Sequence, residues 1–166
     1  MGRLRKSNEM KRYTQIQNDV VSKYRVILDE HSKCRERTHA HVDERRVCKW
    51  HPANTFHSTF TLLHEVGHIE TTKRGMKRCE EEYYATCWAI DRCKEYGLYV
   101  PEDELYVYQR YIYQEIAAGK RRGGKNYDAE ALNLYTYIGR NVTVEEFKEM
   151  LLNDKPGWAE YINPYI

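Results

Sequence analysis

Aliphatic bulk is what this sequence has least of. Leu, Ile, Val and Phe number 10, 9, 10 and 3, about 19% of the chain, a level at which a highly charged chain stays disordered. The formal net charge is only +2, so the self-repulsion that would hold the chain open is missing and the disordered class is excluded. No apolar run approaches the roughly 20 residues that cross a bilayer. The basic N-terminus (Arg3, Arg5, Lys6) has no apolar stretch behind it and does not read as a signal peptide, so the expected location is the cytoplasm. With 27 basic residues against 25 acidic ones, there is no global field to draw the protein onto nucleic acid or an anionic membrane. The five cysteines (Cys34, Cys48, Cys79, Cys87, Cys93) include no C-x-x-C pair. That odd set suits reduced thiols better than a disulfide framework or a thiolate zinc knuckle.

Tyrosine fills the gap left by the aliphatics, with 15 residues. Its ring buries well when the hydroxyl finds water or a partner, so a thin, polar-edged core is expected. A chain of 166 residues is one domain's worth. Residues 1–10 are polar and read as a disordered end, leaving a single domain over 11–166, with a core over 11–101 and a helical extension over 102–166.

Tyr13, Ile16, Val20, Tyr24 and Ile27 recur at steps of three and four and predict an amphipathic helix ending near Glu30. Thr38, Val42 and residues 47–50 are β-prone, Pro52-Ala53-Asn54 reads as a turn, and residues 55–61 are rich in β-branched and aromatic side chains. Two or three short antiparallel strands are expected there. A second helix is expected from Leu62, capped by Thr61 or a neighbouring threonine, stopping before Gly75. A third starts among Glu80, Glu81 and Glu82 and breaks at Gly97; a fourth opens at Pro101 with Leu105, Tyr108, Ile112 and Ile116 as its apolar stripe. Two shorter helices follow, around residues 129–137 and after Thr143, where Glu146 has capping-box spacing.

His64-Glu65-Val66-Gly67-His68 is an H-E-x-x-H match. On a helix, histidines four apart share a face, so both imidazoles can bind one Zn²⁺ while the intervening glutamate projects beside them. The same letters could also be a solvated helix face with two ordinary histidines. Phe60, Thr61, Leu62 and Leu63 argue for the metal, because they seat this helix in the core and turn its histidine face inward. A catalytic zinc needs a third protein ligand. Glu82 fits best, since it shares a helix face with Ala85 and Ala89, whose small side chains permit close approach. Glu81, on a face with Ala85 and Trp88, is a weaker candidate, and Glu80, on a face with Tyr84 and Cys87, is weaker still.

The stretch Phe60-Thr61-Leu62-Leu63-His64-Glu65-Val66-Gly67-His68 resembles the active-site signature F-T-L-x-H-E-x-G-H of the ImmA/IrrE-type zincin-like metallopeptidases. The run from Glu82 to Ala89 is similar to that family's second helix, E-x-x-A-N-x-F-A, with Thr86 in place of Asn and Trp88 in place of Phe. The resemblance covers about residues 55–101. It implies His64, His68 and Glu82 as zinc ligands, Glu65 as the catalytic carboxylate, and a helix-turn-helix transcriptional repressor as the kind of protein cleaved. Beyond Pro101 no family motif is present, and Gly97-Leu98-Tyr99-Val100 stands where the family usually has Leu-Leu-Met before its proline.

Two further clusters carry weaker signals. Cys34, His39, His41 and Cys48 contain metal-ligating types, and His39 and His41 would share a strand face, but their spacing matches no zinc module. Ordinary surface histidines and buried thiols are expected. Lys120-Arg121-Arg122-Gly123-Gly124-Lys125 reads as a solvated turn, because no aromatic platform or recognition-helix pattern accompanies it, and direct nucleic-acid binding is not expected. Of the tyrosines Tyr106, Tyr108, Tyr111 and Tyr113, Tyr108 and Tyr111 are expected in the core with Ile112, and one could offer its hydroxyl to a substrate oxyanion.

The resulting expectation is an α+β, zincin-like domain with an N-terminal helix, a short antiparallel sheet, two metal-ligand helices and a helical C-terminal extension. It would be a zinc metalloendopeptidase whose substrate lies along an edge strand within residues 55–61. The alternative is a zincin-fold binding module that inhibits a protein partner without proteolysis.

Overall fold

The computed structural model describes residues 2–29, 38–48, 51–125, 132–140 and 142–154. Its architecture is mixed α and β, mostly helical, with one small sheet. Among the described residues, no helix is long and apolar enough to cross a membrane. Contacts gather in two units, one of residues 1–74 and 84–99 and the other of residues 75–83 and 100–166.

The first unit begins with helix α1 (Gly2–Lys23), which buries Ile16 and Val20. The polar residues 2–10 thus extend the helix; nothing in them after Gly2 breaks it, and their Arg, Lys, Glu and Met favour it. The helix also stops earlier than the periodicity predicts. Arg25 adopts a left-handed backbone (φ 51), Arg25 N–H donates to Ser22 O and Val26 N–H to Val21 O. This is the double hydrogen bond of a Schellman ending, with arginine where glycine is usual and the buried Val26 just after it. Val26 and Ile27 then lead into strand β1 (Ile27–Asp29), so Ile27 is a strand residue and not part of the helical stripe.

Strands β2 (His39–His41) and β3 (Arg46–Cys48) form an antiparallel hairpin across residues 42–45. β1 pairs with the other edge of β3, in parallel, giving the order β1-β3-β2. The sheet is therefore mixed and not purely antiparallel: only the pair joined by a short turn must run in opposite directions. Cys34 and Glu30 lie outside the described residues. The described thiols of this unit, Cys48, Cys87 and Cys93, are buried.

Residues 55–61, expected as strand, start helix α2 (Phe56–Thr71). The reason is local. Thr55 Oγ1 accepts Ser58 N–H at 3.1 Å, Ser58 Oγ accepts Thr55 N–H at 3.1 Å, and this reciprocal cap overrides the β-branched composition. The entry is also tied to α1, since Ala53 N–H donates to Gln17 Oε1 at 2.8 Å. No edge strand exists at 55–61 to receive a substrate. Helix α3 (Arg78–Glu95) ends at Gly97, whose φ of 63 suits glycine, and Arg12 Nη2 donates to the carbonyls of Tyr96 and Gly97 at 2.6 and 3.0 Å. Trp88 on α3 meets Tyr24 edge to face at a centroid distance of 4.9 Å.

The second unit contains helices α4 (Glu102–Arg121), α5 (Leu134–Tyr137) and α6 (Val144–Asp154), together with the first residues of α3. Leu105, Ile112 and Ile116 of α4 are buried as predicted, but the core tyrosine is Tyr113, while Tyr108 and Tyr111 are half-buried. Gln109, fully buried, accepts Leu134 N–H at 2.8 Å and fixes the start of α5. Thr143 and Glu146 form the expected capping box of α6. The loop 121–125 is exposed.

Thr55→Ala removes the oxygen that closes the α2 cap and should lower stability by about 1 kcal/mol in urea denaturation, whereas Thr55→Ser should stay within a few tenths of the parent. An unchanged midpoint for the alanine variant would show that the cap does not set this helix.

Candidate metal centre

Phe60, Leu62 and Leu63 are buried and hold α2 in the core, so the histidine face turns inward. His64 and His68 are 4% and 5% exposed, and their Nε2 atoms stand 3.1 Å apart. Two zinc–nitrogen bonds of about 2.0–2.1 Å at a tetrahedral angle would set the ligand nitrogens about 3.3 Å apart, so the imidazoles converge at a spacing that suits one ion. The ligating atoms of His64, His68 and Glu82 all lie within 4.8 Å of one another. The three residues named from sequence are therefore brought together. Glu65, half-buried, follows His64 and lies about 60° around the helix from His68, so it borders the histidine face without joining it.

Glu82 reaches this position because α3 approaches α2 very closely. A Cβ on Gly67 would stand 2.5 Å from Ala85 O and 2.9 Å from Ala85 Cα, so the two backbones touch where the H-E-x-x-H motif carries its glycine. Ala85 and Ala89 are fully buried. One residue on, Thr86 Oγ1 lies 3.2 Å from His64 Nδ1. For Nε2 to offer a lone pair to a metal, the proton must sit on Nδ1, which then donates to this hydroxyl and fixes tautomer and ring orientation.

Charge around Glu82 is organised by Arg78, one helical turn earlier. Arg78 Nη2 is 2.6 Å from Glu82 Oε1, and Glu82 is only 2% exposed. Burial works against the charged guanidinium, but the Glu82 carboxylate, with hydrogen bonds to Glu81 and Tyr111, raises its pKa above the ordinary value. Burial, and then the charges of Glu82 and Glu115, push the Tyr111 phenol up, while Arg78 pulls it down. The other acidic residues of the run are engaged elsewhere: Glu80 accepts Lys77 N–H at 2.9 Å as a helix-start cap, and Glu81 pairs with Arg78 at 3.1 Å. Their geometry explains why Glu82 and not a neighbour joins the histidines.

No protein-family model, curated protein or solved structure matches this chain. The site therefore rests on its own chemistry. Two neutral nitrogens and a carboxylate are a donor set that zinc accepts, with coordination positions left over for water or substrate. Sequence reasoning did not single out Arg78, and it expected Tyr111 in the core with Tyr108 and Ile112, whereas Tyr111 is half-buried. Arg78 carried a signal, its spacing of four from Glu82, whereas Tyr111 carried none, because its proximity to Arg78 and Glu82 comes from packing.

Gly67→Ala would normally favour a helix by about 1 kcal/mol, but here the new methyl meets backbone that cannot rotate away. Overpacking of this kind costs about 1–3 kcal/mol, so we expect net destabilisation and weaker zinc retention. Thermal melts and metal analysis on the purified variant check this, and a more stable variant would disprove the close approach.

Proposed function

We propose that this chain is a zinc-dependent metallopeptidase of the H-E-x-x-H kind, with a zincin-like fold similar to the ImmA/IrrE type. The observation that carries the proposal is the convergence of His64, His68 and Glu82, all buried, with the half-buried Glu65 bordering the histidine face. A bound zinc would supply Lewis acidity, polarising a peptide carbonyl and acidifying a water. Glu65 takes the proton from the attacking water and returns it to the leaving amine. Thr86 keeps His64 in the tautomer that presents Nε2, and Arg78 pairs with the Glu82 carboxylate and holds it in place. Tyr111, hydrogen-bonded to Arg78, is the tyrosine of the α4 stripe best situated to donate to a developing oxyanion.

The substrate class, a protein such as a helix-turn-helix repressor, rests on the motif resemblance. No membrane association is invoked, and the basic loop after α4 takes no part in the reading.

Glu65→Gln should keep zinc and lose cleavage of a co-expressed repressor by about 10²–10⁴-fold, the usual worth of a positioned acid–base group. Glu82→Ala should lose both zinc and cleavage. If Glu65→Gln still relieves repression, the protein acts by occupancy as a zincin-fold inhibitor, and the peptidase reading fails. Chelation should lower the melting temperature, since ligand present at a hundredfold over Kd stabilises by about 2.7 kcal/mol. An unchanged melt in chelator would count against the centre.

A further inference from the structure

The hairpin of β2 and β3 brings together a second group of metal-ligating side chains. His39 and His41 are two apart on β2 and so share a sheet face; His39 lies directly opposite Cys48 in the antiparallel register, which puts the thiol on that face too. The ligating atoms of all three lie within 4.8 Å of one another, and the histidine Nε2 atoms are 3.2 Å apart, close to the spacing of the His64 and His68 nitrogens. Cys48 is fully buried, and the histidines are half-buried. Arg46, opposite His41, directs its guanidinium to Asp29 at 3.3 Å and to Glu44, so its charge is already matched.

We propose that His39, His41 and Cys48 form a second metal site that takes a borderline-soft divalent cation, Zn²⁺ foremost. Two imidazoles and a thiolate are softer than the donor set of the α2–α3 centre, and they select zinc over magnesium or calcium. Its role is structural, with water taking the fourth position that three protein ligands leave open. Each strand of the sheet is three residues long, too short for backbone pairing alone to hold firmly, and α2 packs against both β2 and β3. An ion bonded to both strands of the hairpin would fix the surface on which the histidine helix rests, in a chain poor in aliphatic residues. This inference does not depend on the peptidase reading.

Cobalt substitution separates the two sites, because only a thiolate ligand gives a sulfur-to-cobalt charge-transfer band and the α2–α3 centre has no sulfur. The full-length protein, purified and desalted, should carry about two zinc ions per chain and show that band when loaded with Co²⁺. Cys48→Ser should hold about one ion and lose the band, while a His64→Ala/His68→Ala double variant should hold about one and keep it. Should Cys48→Ser fail to fold, the more exposed His39→Gln/His41→Gln pair carries the same expectation. A wild type without the band, or a band that survives in Cys48→Ser or in His39→Gln/His41→Gln, would overturn the proposal.

Discussion

Helices α2 and α3 meet backbone to backbone at Gly67 and Ala85, and the distances of the candidate centre follow from that contact. A glycine inside a helix is normally a weakness, costing about 1 kcal/mol against alanine. Here it removes the one atom that would hold the helices apart. Thr86 then reaches His64, and Glu82, one turn earlier on the same unbroken helix, joins the two histidines. The surrounding features support this contact: the Thr55–Ser58 cap sets where α2 begins, Gln17 pins its entry, and Arg12 closes the end of α3.

Burying a carboxylate beside two imidazoles has an electrostatic cost that must be met locally, since an uncompensated buried charge costs several kcal/mol. The Arg78 guanidinium meets it, and a carboxylate has lone pairs enough for an arginine and a metal together. The near-neutral overall charge of the chain hides this arrangement, because what matters is the ordering of a few charges around Glu82 and not their sum.

The grouping of the candidate site was more legible in the sequence than the fold was. The pairing of His64 and His68 follows from helical spacing, and Glu82 is preferred over Glu80 and Glu81 because it shares a face with the small residues Ala85 and Ala89. The family resemblance points to the same set with Glu65; the contact at Gly67 shows only in the structure. The boundaries were harder because two local signals contradicted composition. Residues 55–61 look β-prone, yet the reciprocal Thr55–Ser58 cap starts a helix there. Residue 25 is an arginine, yet it takes the left-handed conformation that ends α1, so the helical period continues past the true stop. The convergence of His39, His41 and Cys48 depends on strand register, which a short irregular spacing does not reveal. The parallel pairing of β1 with β3 is likewise set by tertiary packing and leaves no mark in either strand.

The four described thiols, Cys48, Cys79, Cys87 and Cys93, are all buried. Burial, with the neighbouring Glu80 charge, also pushes the Cys79 thiol up, away from its reactive thiolate form. A thiol reagent can therefore reach these positions only when the structure around them opens. Cys79 belongs to one unit and the other three belong to the other, so alkylation rates at individual cysteines would time the opening of each unit separately. The residues that a disulfide framework would have spent on cross-links are left as built-in clocks of local unfolding.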